Sequence, residues 1–147
     1  MKAVIVEDEL IAAQNLQRVI GQVAADIQVI AVLQSVEESV EWFSLNPAPD
    51  LVFMDIHLAD GSSFGIFEKV QIKSPVIFTT AYDEYALKAF EVNSIDYLLK
   101  PINVRNFERA ISKYRNLVLA KDTNVDAISN LLATFNKTKD TWKSHFL

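Results

Sequence analysis

The chain has 147 residues, a formal net charge of −5 and no cysteine. Half of it is hydrophobic and its charges are interspersed, which argues for one folded domain rather than a disordered segment. Disulfide frameworks, thiolate metal sites and cysteine nucleophiles are excluded, and the acidic balance disfavours direct binding of nucleic acid by this segment.

The first apolar run predicts a strand from Lys2 to Glu7, and it lacks the basic and long apolar regions of a signal peptide. A helix is predicted from Leu10 to Ala24, where Ile11, Leu16, Val19, Ile20 and Val23 recur at helical spacing. A strand from Ile27 to Gln34 and a helix from Val36 to Asn46 follow, and Pro47 and Pro49 then break the chain. The third strand is Leu51 to Asp55, followed by an Asp60-Gly61 turn and a helix from Ser63 to Gln71 that ends at Ser74-Pro75. Val76 to Thr80 and Ile95 to Leu99 are the last two strands, with helices predicted from Glu84 to Glu91 and from Val104 to Leu119. No apolar run is long enough to span a bilayer, so a cytoplasmic chain is expected, with no membrane partner.

Five successive βα units predict an α/β fold with a doubly wound, five-stranded parallel sheet. The near-continuous apolar character of the first, third and fourth strands marks burial on both faces, as parallel sheets require. Right-handed crossovers and a site at the strand C-termini favour the flavodoxin-like order 2-1-3-4-5. Strands one and three are then neighbours at the switch point, which draws Glu7, Asp8 and Asp55 together.

Past Ala120 the composition changes. Lys121 to Asn124 is polar and linker-like, and Val125, Ile128, Leu132 and Phe135 predict one more amphipathic helix. Ser144 to Leu147 looks like the opening of another strand, so the expected organisation is a domain over 1–120, a linker with a helix over 121–140 and the start of a further domain over 141–147.

The chemistry lies where the strand patterns stop. Glu7 and Asp8, Asp55, Thr80, and Lys100 followed by Pro101 each end an apolar run, so four segments deliver polar groups to one sheet edge. An acid pair at a strand end most often caps the following helix, and a lone lysine is most often solvated. Together with Asp55 the reading changes, because converging carboxylates resist ionisation unless a cation screens them. A hard divalent ion such as Mg²⁺ is that screen, and a metal-braced carboxylate can act as nucleophile toward a phosphoryl donor. Asp55 is the expected nucleophile. Lys100, the Thr80 hydroxyl and backbone N–H groups near Ile56, His57 and Ala81 are the donors expected around the transferred group. A cis peptide bond before Pro101 is expected to aim Lys100.

The segments VEDE, LVFMDIHLADGSSFGI and IFTTAYDEYALKAFEVNSIDYLLKP, in that order, resemble the receiver domain of two-component response regulators over about residues 1 to 120. The stretch from Ala81 to Pro101 resembles receivers of the LytR/AlgR type, whose effector is a LytTR DNA-binding domain. The terminal WKSHFL is similar to the first strand of that domain, which implies that the DNA-binding portion lies beyond this chain.

The resemblance implies a CheY-like fold and a set of roles. Asp55 aligns with the phosphoacceptor, Asp8 with the direct metal ligand and Glu7 with its partner, while a backbone carbonyl at His57 would complete the Mg²⁺ shell. Thr80 and Lys100 match the switch hydroxyl and the phosphate-pairing lysine, and Tyr97 matches the switch aromatic. A sensor histidine kinase is the implied donor, and self-phosphorylation and autodephosphorylation are the only chemistry. His57 and Tyr82 are expected to flank the phosphate and slow its hydrolysis. When Thr80 moves inward, Tyr97 fills the space it leaves, and a homodimer on phosphorylation would pair two DNA-binding domains. Tyr85, Phe90 and Val92 are candidate contacts of that dimer. A metal-dependent phosphatase is disfavoured because the chain has no room for a substrate-selecting cap. A flavodoxin is disfavoured because Glu7 and Asp8 would repel a flavin phosphate.

Overall fold

The computed structural model describes residues 1–81 and 94–122. The predicted helices at Glu84 to Glu91 and Val125 to Phe135 lie outside the described residues, as do Tyr82, Tyr85, Phe90, Val92 and the 141–147 segment. In chain order the elements are β1 (Lys2–Val6), α1 (Leu10–Val23), β2 (Gln28–Leu33), α2 (Val36–Leu45), β3 (Leu51–Asp55), β4 (His57–Leu58), β5 (Gly61–Ser62), α3 (Phe64–Lys69), β6 (Val76–Thr80), β7 (Ser94–Leu99) and α4 (Val104–Asp122).

Five parallel strands form one sheet in the order β2-β1-β3-β6-β7. That is the predicted 2-1-3-4-5 order once the small β4-β5 hairpin is set aside. β3 and β6 are buried along their whole length, and all of β1 past Lys2 is buried. The outer strands β2 and β7 are covered only in part, so the burial follows the strand order.

The two sheet faces build two cores. On one, Ala3, Ile5, Leu51, Phe53, Ile77 and Leu98 meet Leu16, Val19 and Ile20 of α1 and Phe107, Ala110, Ile111 and Tyr114 of α4. The spacing of those α4 residues is one helical stripe, and each large apolar side chain so buried contributes roughly 1.5–3 kcal/mol. On the other face, Val4, Val6, Val52, Met54 and Phe78 pack against α2 and α3. Ile11 departs from the predicted α1 stripe: it is 80% exposed, because it stands in the first turn at the mouth of a cavity rather than over the sheet.

Helix α2 starts where its sequence dictates. Ser35 Oγ accepts from the Glu38 N–H at 3.0 Å, and the Glu38 carboxylate accepts from the Gln34 N–H at 2.7 Å, a reciprocal cap. The hairpin β4-β5 pairs His57 with Ser62 and Leu58 with Gly61, whose φ of +139° is open to glycine and strained for other residues. No described helix is long and apolar enough to cross a membrane.

Candidate functional site

Strand register places the acids side by side. Val6 pairs with Met54, so Glu7, the next residue, is level with Asp55 at the carboxyl end of the sheet. Asp55 pairs with Thr79 and Thr80 with Leu99, which brings Lys100 to the same edge. The Lys100 backbone N–H donates to the Thr80 carbonyl at 2.7 Å, and the Lys100–Pro101 peptide bond is cis.

Glu7 and Asp55 are both buried, and the Lys100 ammonium reaches both, contacting Glu7 Oε1 closely and Asp55 Oδ2 at 3.0 Å. Asp8 is half-buried beside them. Glu9, which is not among the predicted site residues, completes the group: its backbone N–H donates to Glu7 Oε2 at 3.2 Å and its carboxylate lies 3.7 Å from Lys100. Four carboxylate oxygens, one each from Glu7, Asp8, Glu9 and Asp55, lie within 4.8 Å of one another. The third acid of the VEDE run was the available signal for Glu9, but an exposed acid opening a helix looks the same with or without a site.

Burial pushes the Glu7 carboxyl from its ordinary 4.5 up to about 7, with Lys100 pulling it down and Asp55 adding a further push upward. Burial disfavours the Lys100 ammonium, but its hydrogen bonds to Glu7 and Asp55 outweigh this and leave its pKa raised. Three or four acids against one cation leave a net anionic pocket. The donor set is all carboxylate oxygen, which fits a hard divalent ion and suits a thiolate-seeking or imidazole-seeking metal poorly.

The remaining predicted residues surround this group. The His57 N–H points to Asp55 Oδ1 at 3.4 Å, while the His57 residue itself is exposed. Thr80 ends β6 fully buried, on the sheet face carrying Phe78, and Tyr97 packs half-buried against that same core. A cavity of about 550 Å³ opens beside the acids, with Ile11 of α1, Glu9, Lys100 and Ile102 in its wall, and keeps the pocket reachable from that side.

The five-stranded parallel sheet and the acidic site at its carboxyl edge are shared with one family of domains. The chain matches the response regulator receiver domain family over residues 3–112. The chain belongs to that family. It is 34% identical over 142 residues to the transcriptional regulatory protein LytR of Staphylococcus aureus strain N315, covering 94% of this chain and 57% of that protein. It is 35% identical over 118 residues to the sensory transduction protein LytT of Bacillus anthracis, covering 78% of this chain and 47% of that one. The chain thus spans about half the length of these curated relatives. The crystal structure of the response regulatory domain of mrkE from Klebsiella pneumoniae superposes with a TM-score of 0.70 at 26% identity, over 80% of this chain and 97% of that domain.

Proposed function

We propose that this chain accepts a phosphoryl group on Asp55 from a sensor histidine kinase and relays the event to a DNA-binding domain. The observation that carries this reading is the meeting of Glu7, Asp8 and Asp55 with Lys100, one cation that reaches two of the three acids. Mg²⁺ would be held by the carboxylates of Asp8 and Asp55, by Glu7 directly or through water, and by the His57 backbone carbonyl; it supplies Lewis-acid screening of the incoming phosphate. An Asp55 carboxylate oxygen attacks phosphorus, a P–O bond forms as the donor's P–N bond breaks, and the leaving imidazole takes up a proton. Lys100 is positioned to follow the charge from the carboxylate onto the phosphoryl oxygens.

The phosphoryl group adds nearly two negative charges and strong acceptor oxygens to a pocket that is already anionic. Thr80 donates to it and Tyr97 repacks into the space Thr80 leaves, a bistable change biased by local charge. Homodimerisation on phosphorylation would then pair two DNA-binding domains. Residues 1–120 form the receiver in this reading, 121–140 the linker and 141–147 the start of a LytTR domain. The similarity to a transcriptional regulatory protein and a sensory transduction protein supports it. Incubation with acetyl phosphate and Mg²⁺ followed by intact-mass measurement tests it. One phosphate increment on the wild type that is lost in Asp55→Asn is expected, and an increment retained in the variant would refute the assignment.

A further inference from the structure

The hairpin that follows Asp55 is held from outside the site. Asp60 stands at its turn, and its two carboxylate oxygens accept from the Val36 N–H at 2.8 Å and the Glu37 N–H at 3.1 Å. These are the first two amides of α2, which have no partner within their own helix. Ser35 covers the next amide, that of Glu38, so α2 has one local cap and one delivered across 24 residues of chain. The backbone bonds hold the Asp60 carboxyl below the usual carboxylate range, so it is ionised at neutral pH. Leu58 and Val36 are buried in the same apolar core, which keeps the hairpin and the start of α2 on one side of the sheet. Inside the loop, the Ser63 N–H donates to the Ile56 carbonyl at 2.8 Å, closing the hairpin onto the residue directly after Asp55.

For α2 the carboxylate adds bonds to two amides that Ser35 leaves uncovered. The hairpin gains an anchor, because the Asp60 carboxylate at its exposed turn bonds to the first two amides of another element. We propose that Asp60 is a positioning residue for the phosphoryl-accepting site: by clamping the β4-β5 turn to the N-terminus of α2, it fixes the backbone of His57 relative to Asp55. This rests on the reading of Asp55 as a Mg²⁺-dependent phosphoacceptor. The backbone in question carries the N–H aimed at Asp55 Oδ1 and the carbonyl assigned to the metal shell. With the clamp released, the hairpin samples other orientations and both groups spend less time in register with the carboxylate.

The competing account is that Asp60 merely stabilises α2, and Ser35 separates the two. Ser35→Ala removes a cap from the same helix without touching the hairpin. Isothermal titration of Mg²⁺ and hydrogen exchange of the 57–62 amides are compared in wild type, Ser35→Ala, Asp60→Ala and Asp60→Asn. Asp60→Ala is expected to weaken Mg²⁺ binding about tenfold, as loss of an outer support of a metal site does, and to speed exchange in the hairpin. Ser35→Ala is expected to lower thermal stability comparably and leave both readouts at the wild-type value. Asp60→Asn keeps an acceptor oxygen and should recover part of the loss; it decides the matter if the alanine variant does not fold. Equal Mg²⁺ affinity and exchange in the Asp60 and Ser35 variants would overturn the proposal. A wild type that binds Mg²⁺ but takes no phosphate on Asp55 would refute the phosphoacceptor reading and leave the clamp standing, whereas a wild type that binds no Mg²⁺ would overturn both.

Discussion

The ammonium of Lys100 lies 3.0 Å from Oδ2 of Asp55, although 45 residues separate the two in sequence, and it contacts Glu7 at the same time. One cation thus holds two buried carboxylates that would otherwise face each other across the switch point of the sheet. Its removal leaves them unpaired. Lys100→Met should destabilise the metal-free protein by about 3 kcal/mol at pH 8, the cost of breaking a buried ion pair from one side. Urea unfolding checks this, and the loss should shrink near pH 6, where Glu7 can take up a proton.

The raised pKa of Glu7 gives a pH dependence of fixed sign. The folded chain keeps a proton on Glu7 up to about pH 7, whereas the ordinary carboxyl has released it above 4.5. Folding therefore takes up a proton inside that window. The stability associated with the protonated carboxyl is fully present below the lower value and is lost as pH rises through the upper one, by at most about 3 kcal/mol. Without metal, the wild type should lose thermal stability between those limits relative to Glu7→Gln, whose stability should be flatter. Parallel curves for the two proteins would contradict this.

Metal binding should be visible as stabilisation before any phosphate is present. Mg²⁺ at about a hundred times its dissociation constant should add about 2.7 kcal/mol, and a chelator should reverse it. Asp8→Asn is expected to abolish the shift. Asp8 lies outside the Lys100 contacts, so its loss should change stability little without the metal, which thermal denaturation with and without Mg²⁺ measures.

Phe107 tests the scaffold rather than the site. It is fully buried on α4 and stacks on Phe53 of β3 at a centroid distance of 5.7 Å, two residues before Asp55. Phe107→Ala should cost about 3–5 kcal/mol through lost burial and a cavity beneath the third strand. Denaturant unfolding gives the value, and a loss under about 1 kcal/mol would mean that the site collapses readily around the gap.

Much of this architecture was legible because the physics involved is local and periodic. β3 and β6 are fully buried strands, and their apolar runs placed both ends to the residue. Asp55 and Glu7 could be brought together because chain order and crossover handedness leave few topologies, and the register then sets them level. The hairpin β4-β5 was not legible as strands: two residues on each side carry no periodicity, and only the Asp60-Gly61 turn marked the place. The bond from Asp60 to α2 was invisible for a different reason, since it joins groups 24 residues apart and leaves no pattern in either segment. Ile11 misled because helical spacing reports a face, while burial depends also on how far along the helix the sheet extends.

The four carboxylates of the site all occur by residue 55, whereas the ammonium that binds two of them follows the last strand of the sheet. During synthesis the acids therefore emerge well ahead of their counter-charge. A nascent chain can bury β1 beside β3 only against mutual repulsion until Lys100 leaves the ribosome or an ion from the surrounding medium takes its place. Pairing of the acids is thus tied to completion of the domain, and a fragment released early would carry Glu7 and Asp55 without the cation that tames them.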